Sequence, residues 1–220
     1  MIQSAKAFIF DLNGTMINDM QYHAQAWFEV LTLNFGDRFS WEQVAPEMYG
    51  KNPEVLARLF GPDYFTEAEM IRLSNSKESR YQELYKPKLE GLPGLIPFLE
   101  KAKAAGIKMG IGSAAILANI QFVVEGLQIA PFFGSIVGAE NVVESKPHPE
   151  TFLKVAAELQ VAPEDCLVFE DAPKGVEAAL NARMKCIVIT TMHEKEEFEV
   201  YANVIGFAKD YHLLLPEPNV

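Results

Sequence analysis

The chain has 220 residues, of which 49% are hydrophobic and 22% charged, with a mean hydropathy of +0.03. This composition predicts one large core with a smaller second unit, and no apolar run reaches the roughly 20 residues that span a bilayer. The net charge of −11, without a cluster of Lys and Arg, argues against nucleic acid and anionic membranes as partners. Met1–Lys6 lacks the apolar stretch of a signal peptide, so we expect a cytoplasmic protein.

The order of apolar runs along the chain predicts an α/β fold with a doubly wound parallel sheet. Runs of strand character alternate with helical patterns of about ten residues, as in such sheets. Strands are expected at Ala7–Phe10, Lys108–Gly112, Ser135–Val137, Cys166–Phe169 and Lys185–Ile189. Helices between them are expected at Gly94–Ala105, Ala114–Glu125, Glu150–Leu159 and Gly175–Ala182.

Residues 16–88 interrupt this alternation because they are nearly all helical. The return segment Lys86–Gly94 carries prolines and glycines that suit a hinge. We therefore expect a core domain of residues 1–15 and 89–220 and an inserted helical cap of residues 16–88 that opens and closes. The cap helices are expected at Ala24–Leu33, Trp41–Met48, Glu54–Phe60 and Glu67–Tyr85.

The first predicted strand ends at an acidic residue. The sequence Phe8-Ile-Phe-Asp-Leu-Asn-Gly-Thr15 places Asp11 after a buried run and before a Gly-Thr turn. Open α/β sheets bind ligands at the carboxyl ends of their strands, and an aspartate can attack phosphorus to give an aspartyl-phosphate. Taken alone, such an octapeptide is more often an ordinary turn.

Three later strands also end at polar residues. Ser113 follows the second strand, Lys146 the third, and Glu170 with Asp171 the fourth. The carboxyl ends of parallel strands share one edge of the sheet, so we expect these side chains to lie together. Each has a simpler explanation: a helix cap for the serine, a solvated loop for the lysine, and a helix start for the acidic pair. Their common placement favours a shared site.

These residue types suit the transfer of a phosphoryl group. Asp11, Glu170 and Asp171 offer the oxygen ligands that Mg²⁺ takes together with phosphate oxygens. Bound metal would screen the carboxylate nucleophile from the anionic phosphate. The Ser113 hydroxyl and the Ala114 N–H, at an expected helix N-terminus, form an anion site. A lysine after the third strand adds positive charge for the phosphate oxygens.

Short motifs are spread over nearly the whole chain. In chain order they are Phe10-Asp-Leu-x-Gly-Thr15, Tyr22-His-Ala-x-Ala-Trp27, Tyr49-Gly50, Gly112-Ser-Ala114, Ser145-Lys-Pro-x-Pro-Glu150 and Glu170-Asp-Ala-Pro-x-Gly-Val-Glu-Ala178. With this set the chain resembles the haloacid dehalogenase superfamily, and within it the β-phosphoglucomutase-like branch. The resemblance implies a phosphatase-type enzyme acting on a small phosphorylated metabolite such as a sugar phosphate. We expect it to act as a monomer.

The resemblance also implies roles for individual residues. Asp11 is the nucleophile, and Mg²⁺ is held by Asp11, by the backbone carbonyl of Asn13 and by Asp171, with Glu170 at or near the metal. Ser113 and Lys146 bind the phosphate. His23 and Lys77 face the cleft from the cap, although His23 beside Trp27 also suits a packed core position.

Asn13 departs from the family pattern, which has a second aspartate at this place. That carboxyl protonates the leaving oxygen and then takes a proton from the attacking water or hydroxyl, and an amide can do neither. The loss of such catalysis is worth roughly 10²–10⁴-fold in rate. Three explanations stay open. The residue is an engineered Asp→Asn change, or the carboxyl is unnecessary because the leaving group needs little protonation or another acid such as His23 supplies the proton. The third is a native protein with weak activity. We prefer a native substitution.

The substrate motifs depart from those of the mutases. Their Ser-Lys-Asn run is Ala115-Ile-Leu117 here, and the cap loop that carries an arginine reads Gly50-Lys-Asn-Pro-Glu54. A mutase needs a second phosphate site on its cap, for which Lys51 and Lys77 are candidates unless they are simply solvated. Hydrolysis is therefore our leading hypothesis and β-phosphoglucomutase activity the main alternative. Carbon–phosphorus cleavage through a Lys51 Schiff base and a non-catalytic phosphometabolite binder remain further hypotheses.

Overall fold

The computed structural model describes residues 5–214, which divide into two compact units. An α/β unit comprises Met1–Asn18 and Glu90–Val220, and a helical unit comprises Asp19–Leu89. Met16–Asn18 and Leu89 thus fall on the other side of the boundaries expected from the sequence. The backbone N–H of Leu92 donates to the carbonyl of Met16 at 2.8 Å, which ties the outward segment to the α/β unit. Residues 1–4 and 215–220 of the expected core domain lie outside the described residues. The same holds for most of residues 1–6, the segment in which the sequence predicts no signal peptide.

The α/β unit contains a six-stranded sheet in which every neighbouring pair is parallel. The strand order is β3-β2-β1-β4-β5-β6, so the order reverses between β1 and β4 and opens a crevice at their carboxyl ends. The predicted α/β class is confirmed. The sixth strand was not predicted, because it is a partly exposed edge strand with a central glycine. The strands are β1 Ala7–Phe10, β2 Lys108–Gly112, β3 Ser135–Val137, β4 Cys166–Glu170, β5 Lys185–Ile189 and β6 Val204–Ala208.

Eight α-helices lie within the described residues. The helical unit holds α1 Met20–Phe35, α2 Trp41–Val44, α3 Asn52–Phe60 and α4 Glu67–Tyr85. The α/β unit holds α5 Leu95–Ala104, α6 Leu117–Gly126, α7 Glu150–Leu159 and α8 Pro173–Asn181. None of these helices has both the length and the apolar character needed to cross a membrane.

One face of the sheet carries a cluster of aromatic rings directly beneath the ends of β1 and β4. Phe10 stacks on Phe169 with ring centroids 4.8 Å apart, and Phe8 stacks on Phe98 of α5 at 5.6 Å. Tyr211 packs against Phe98 at 5.3 Å. Large buried rings contribute strongly to core stability and have few rotamers. The two strand ends that carry acidic residues therefore rest on a rigid base.

The opposite face of the sheet packs against α7 and α8. Ala7 and Ile9 of β1 point to this side, where Val155 of α7 and Val176 of α8 are fully buried. Gly110 allows α7 to approach β2 closely, because a Cβ there would lie 2.5 Å from a methyl group of Val155. The alternation of β1 between two buried faces is what makes it a continuous apolar run.

The helical unit has its own core between α1 and α4. Trp27 and Leu31 of α1 and Leu73 of α4 are buried there. Thr66 caps α4: its side chain accepts from the N–H of Glu69, whose carboxylate accepts from the backbone N–H of Thr66. This capping box fixes the helix start at the residue expected from the sequence.

Gly94 and Gly106 test how closely the backbone of Tyr211 and His212 packs against the start of α5. Both have positive φ, 80° and 74°, but a Cβ at Gly94 would lie 2.5 Å from the backbone nitrogen of His212 whereas one at Gly106 meets no atom within 4 Å. An alanine costs about 1–2 kcal/mol for the left-handed conformation alone. We expect Gly106→Ala to lose about that much and Gly94→Ala to lose roughly 2–5 kcal/mol, because overpacking adds to it. Urea unfolding measures both, and equal losses would contradict the contact.

Candidate active site

The loop after β1 carries Asp11 in a fixed turn. The backbone N–H of Asp11 donates to the carbonyl of Phe169 at 3.0 Å and so extends the pairing of β1 with β4. The N–H of Met16 returns to the carbonyl of Leu12, and Gly14 has a φ of 78°. A Cβ at Gly14 would lie 2.1 Å from an oxygen of Asp171. The glycine therefore both allows the turn and leaves room for that carboxylate.

Lys146 joins two of the predicted acidic residues. Its Nζ donates to Oδ1 of Asp11 at 2.6 Å and to Oε1 of Glu170 at 2.8 Å, and the three side chains are about nine-tenths buried or more. Burial lowers the pKa of Lys146, but the charges of Asp11 and Glu170 raise it by more, so its pKa is raised above the usual value. The lysine is therefore a permanent cation at the strand ends.

Asp171 completes a group of three buried carboxylates. Asp11, Glu170 and Asp171 each offer an oxygen within 4.8 Å of the others, and the Thr15 hydroxyl donates to Asp171 at 3.1 Å. Burial, and then the charges of Glu170 and Asp11, hold the pKa of Asp171 well above its ordinary value. One lysine leaves this group with excess negative charge, and a cation is what such a site accommodates.

Glu170 also shapes the start of α8. Its Oε2 accepts from the backbone N–H groups of Asp171 and Ala172, both at 2.8 Å. A Cβ on Gly175 would lie 1.7 Å from the Glu170 carboxylate, so this glycine admits the side chain over the first turn of the helix. The simpler explanation, that the acidic pair opens a helix, is thus correct in part: Glu170 does so while it also binds Lys146.

The expectation of a helix N-terminus directly behind Ser113 is wrong. α6 begins at Leu117, not at Ala114, and the Leu117 N–H donates to the carboxylate of Glu140 at 3.0 Å. Ser113 is buried, and its Oγ accepts from the N–H of Ala115 at 3.1 Å. The chain needs a turn to reach the helix direction, so any anion bound here would meet a loop and a hydroxyl rather than a helix end.

Asn13 lies within the same turn as Asp11. It forms an isolated parallel bridge with Ile17 and is only partly buried, whereas the neighbouring Leu12 and Gly14 are buried. The amide thus lies two residues after Asp11, at the position where the resemblance implies a carboxyl.

His23 and Lys77 meet in the helical unit rather than standing alone. Nζ of Lys77 lies 2.7 Å from Nδ1 of His23 and 3.1 Å from both carboxylate oxygens of Glu78. Nε2 of His23 lies 3.2 Å from Oδ2 of Asp19, which also accepts from the Tyr81 hydroxyl at 2.5 Å. Burial lowers the pKa of both His23 and Lys77. Lys77 is therefore a packed and paired residue, not a solvated lysine.

Lys51 has a different setting from Lys77. It is partly exposed and precedes α3, where its backbone N–H donates to the carboxylate of Glu54 at 3.1 Å. The next residue, Asn52, donates from its side chain to Glu78 at 2.6 Å, so the loop that begins at Gly50 is tied to the buried cluster of α1 and α4.

Three residues that were not predicted as part of the site support the acidic group. Thr15 donates to Asp171, Gly14 admits its carboxylate, and Gly175 admits Glu170. Thr15 and Gly14 belong to the first motif, so their proximity to Asp11 in the sequence was a usable signal. Only the three-dimensional contact shows which carboxylate each one serves.

The comparison with protein families decides which class of enzyme this arrangement represents. The model of the haloacid dehalogenase-like hydrolases matches residues 5–183. The chain belongs to this family. The match spans Asp11, Ser113, Lys146, Glu170 and Asp171, and the protein is a hydrolase of the haloacid dehalogenase type.

Individual relatives refine the comparison. The β-phosphoglucomutase of Bacillus subtilis is 32% identical over 185 residues, which cover 81% of this chain and 80% of the relative. Hexitol phosphatase A of Escherichia coli is 31% identical over 195 residues, covering 84% and 82%. The crystal structure of a β-phosphoglucomutase from Clostridium difficile superposes with a TM-score of 0.84 at 28% identity, covering 97% of this chain and 94% of that one. The expected resemblance to this branch is confirmed.

Lys146 is the residue whose removal tests the electrostatics of the site. Lys146→Met leaves two buried carboxylates without their cation, and we expect a loss of about 3–5 kcal/mol in the free energy of unfolding at pH 7. Lys6→Met, which breaks an exposed pair with Asp165, should cost no more than about 1 kcal/mol. A loss in Lys146→Met that is no larger than the loss in Lys6→Met would contradict this account.

Proposed function

We propose that this hydrolase is a Mg²⁺-dependent phosphatase-type enzyme that acts on a small phosphorylated metabolite, such as a sugar phosphate, through an aspartyl-phosphate on Asp11. The observation that carries the proposal is the bonding of Lys146 to both Asp11 and Glu170 at the strand ends. A carboxylate nucleophile and a fixed cation beside it are what attack on an anionic phosphoryl group requires. The helical unit is proposed to act as the cap that the family resemblance implies, with His23, Lys51 and Lys77 serving the substrate.

The residues present fit a magnesium ion. Three buried carboxylates supply hard oxygen ligands, and burial together with the charges of Glu170 and Asp11 raises the pKa of Asp171, as is expected where acidic groups converge. Asp11 and Asp171 would hold the ion with the backbone carbonyl of Asn13, and Glu170 would lie at or near it. When bound, Mg²⁺ screens the negative charges of nucleophile and phosphate from each other.

The protein groups around Asp11 divide the remaining tasks. Lys146 orients the Asp11 carboxylate and offers positive charge to the phosphate oxygens as negative charge builds up on them. Ser113 contributes a hydroxyl donor from the end of β2. Asn13 cannot move a proton, so leaving groups that depart without protonation are the best substrates of this chain. Binding of metal and phosphate does not depend on the amide.

The β-phosphoglucomutase reaction is a second candidate because two of the compared proteins bear that name. A mutase must grip its intermediate by either of two phosphates. Lys77 would have to exchange its partners Glu78 and His23 for a phosphate. These contacts favour hydrolysis. Release of free phosphate, against conversion of one glucose phosphate into the other, distinguishes the two.

Asp171→Asn tests the metal site. The change keeps the shape and removes one charge from the acidic group, so we expect Mg²⁺ binding measured by calorimetry to be lost along with hydrolysis of acetyl phosphate. Asp165→Asn, at the opposite end of β4 in a partly exposed pair with Lys6, is the matched control and should bind Mg²⁺ like the unaltered protein. Unchanged Mg²⁺ affinity in Asp171→Asn would show that the metal assignment is incorrect.

Asn13→Asp tests the missing proton carrier. The variant should turn over an alkyl phosphate roughly 10²–10⁴-fold faster, because general acid–base catalysis is restored. It should gain much less on acetyl phosphate, whose leaving group departs unaided, and Mg²⁺ affinity should change little. Asn75→Asp makes the same chemical change at an exposed position of α4 and should change neither rate.

The intact mass of the starting protein must correspond to the amide, since partial conversion of Asn13 to Asp would itself supply activity. If Asn13→Asp leaves alkyl-phosphate turnover flat or lower, the amide is a working part of the site and the chain is a specialised enzyme or a binder.

A further inference from the structure

Two hydroxyl groups from distant parts of the chain hold the loop that follows Asp11. The Thr191 hydroxyl, just after β5, donates to the carbonyl of Gly14 at 2.6 Å. The Tyr211 hydroxyl, after β6, donates to the carbonyl of Thr15 at 3.1 Å. These consecutive carbonyls belong to the turn whose Thr15 hydroxyl donates to Asp171. The loop is thus held from the side of β5 and β6, opposite the strands that bring Ser113 and Lys146.

Tyr211 is itself fixed in place. Its backbone N–H donates to the carbonyl of Pro93 at 2.9 Å, and its ring is fully buried in the aromatic cluster beside Phe98 and Phe169. Gly94 permits this contact, because any Cβ there would collide with the backbone of Tyr211. Burial, followed by the charges of Asp11 and Asp171, holds the pKa of Tyr211 well above its ordinary value, so the hydroxyl remains a donor.

We propose that Tyr211 and Thr191 are positioning residues, which hold the carbonyls of Thr15 and Gly14 so that Thr15 keeps its bond to Asp171 and the turn keeps its distance from Asp11. Neither residue touches a reacting group. Loss of either hydroxyl leaves a loop carbonyl without that donor, and the turn relaxes around Gly14. The consequence for catalysis rests on the proposed function, whereas the consequence for the loop does not.

The variants are chosen to remove one hydroxyl and nothing else. Tyr211→Phe keeps the ring in the aromatic cluster, and Thr191→Val keeps the branched shape. Thr191→Ser removes only the methyl group and keeps the hydroxyl donor. The matched controls are Thr190→Val, whose hydroxyl lies 3.5 Å from the carbonyl of Ala208 instead, and Tyr201→Phe, a partly buried tyrosine that packs on the other face of the sheet.

The first readout is amide hydrogen exchange at Gly14, Thr15 and Met16, which needs neither metal nor substrate. A single hydrogen bond contributes about 0.5–1.5 kcal/mol, which corresponds to a change of roughly 2- to 13-fold in a local opening equilibrium. We expect exchange at these amides to accelerate within that range in Tyr211→Phe and in Thr191→Val. In Thr191→Ser, which keeps the hydroxyl, these amides should exchange at the original rate, and the two controls should also leave the exchange rate unchanged.

The second readout separates binding from turnover. With Mg²⁺ and acetyl phosphate, we expect Tyr211→Phe and Thr191→Val to lower kcat and to weaken Mg²⁺ binding in calorimetry, while KM changes less. A static structural role would instead lower the unfolding midpoint and leave the active fraction with normal kcat.

The proposal is overturned if loop exchange is unchanged in both hydroxyl variants, if it accelerates as much in the two controls, or if Thr191→Ser fails to restore it. If Tyr211→Phe does not fold, the Thr191 series decides by the same criteria. If exchange responds as expected but no version hydrolyses acetyl phosphate, the positioning role stands and the proposed function fails.

Discussion

Three buried carboxylates are held around a single lysine at one edge of a parallel sheet. Removing charged groups from water is costly, and the attraction to Lys146 offsets only part of that cost for Asp11, Glu170 and Asp171. The fold offsets a further part through backbone donors to Glu170 and the Thr15 hydroxyl on Asp171. The reversal of strand order at β1 and β4 is what brings the adjacent strand ends together.

The aromatic cluster explains how this charge is kept in place. Phe10 and Phe169, which directly precede Asp11 and Glu170, stack on each other, so the two strand ends cannot shift without breaking ring contacts. Rigid support under a charged site keeps the donors in position before a ligand arrives, which is the condition under which they stabilise developing charge most effectively. Tyr211 connects the aromatic cluster to the loop after Asp11, because its ring belongs to the cluster and its hydroxyl donates to the carbonyl of Thr15.

The helical unit satisfies its own charges in a comparable way. Lys77 is paired with Glu78 and His23, and the chain of contacts continues through Asp19 to Tyr81. A buried lysine in such a network is positioned by its neighbours rather than by solvent. Under the proposed function, a substrate phosphate must offer this lysine more than its present carboxylate does, which restricts the substrates that the helical unit can bind.

The sequence by itself determined the α/β class and the candidates Asp11, Lys146, Glu170 and Asp171, because strand periodicity and strand-end placement are local patterns. The family followed from the resemblance of its short motifs. It could not place the start of α6, since a turn after Ser113 and the Glu140 carboxylate at Leu117 decide that point. It also gave no sign that Thr191 and Tyr211 reach the Asp11 loop, because these contacts join residues far apart in the chain. Local propensity carries no information about such pairings, and only tertiary packing brings them within hydrogen-bonding distance.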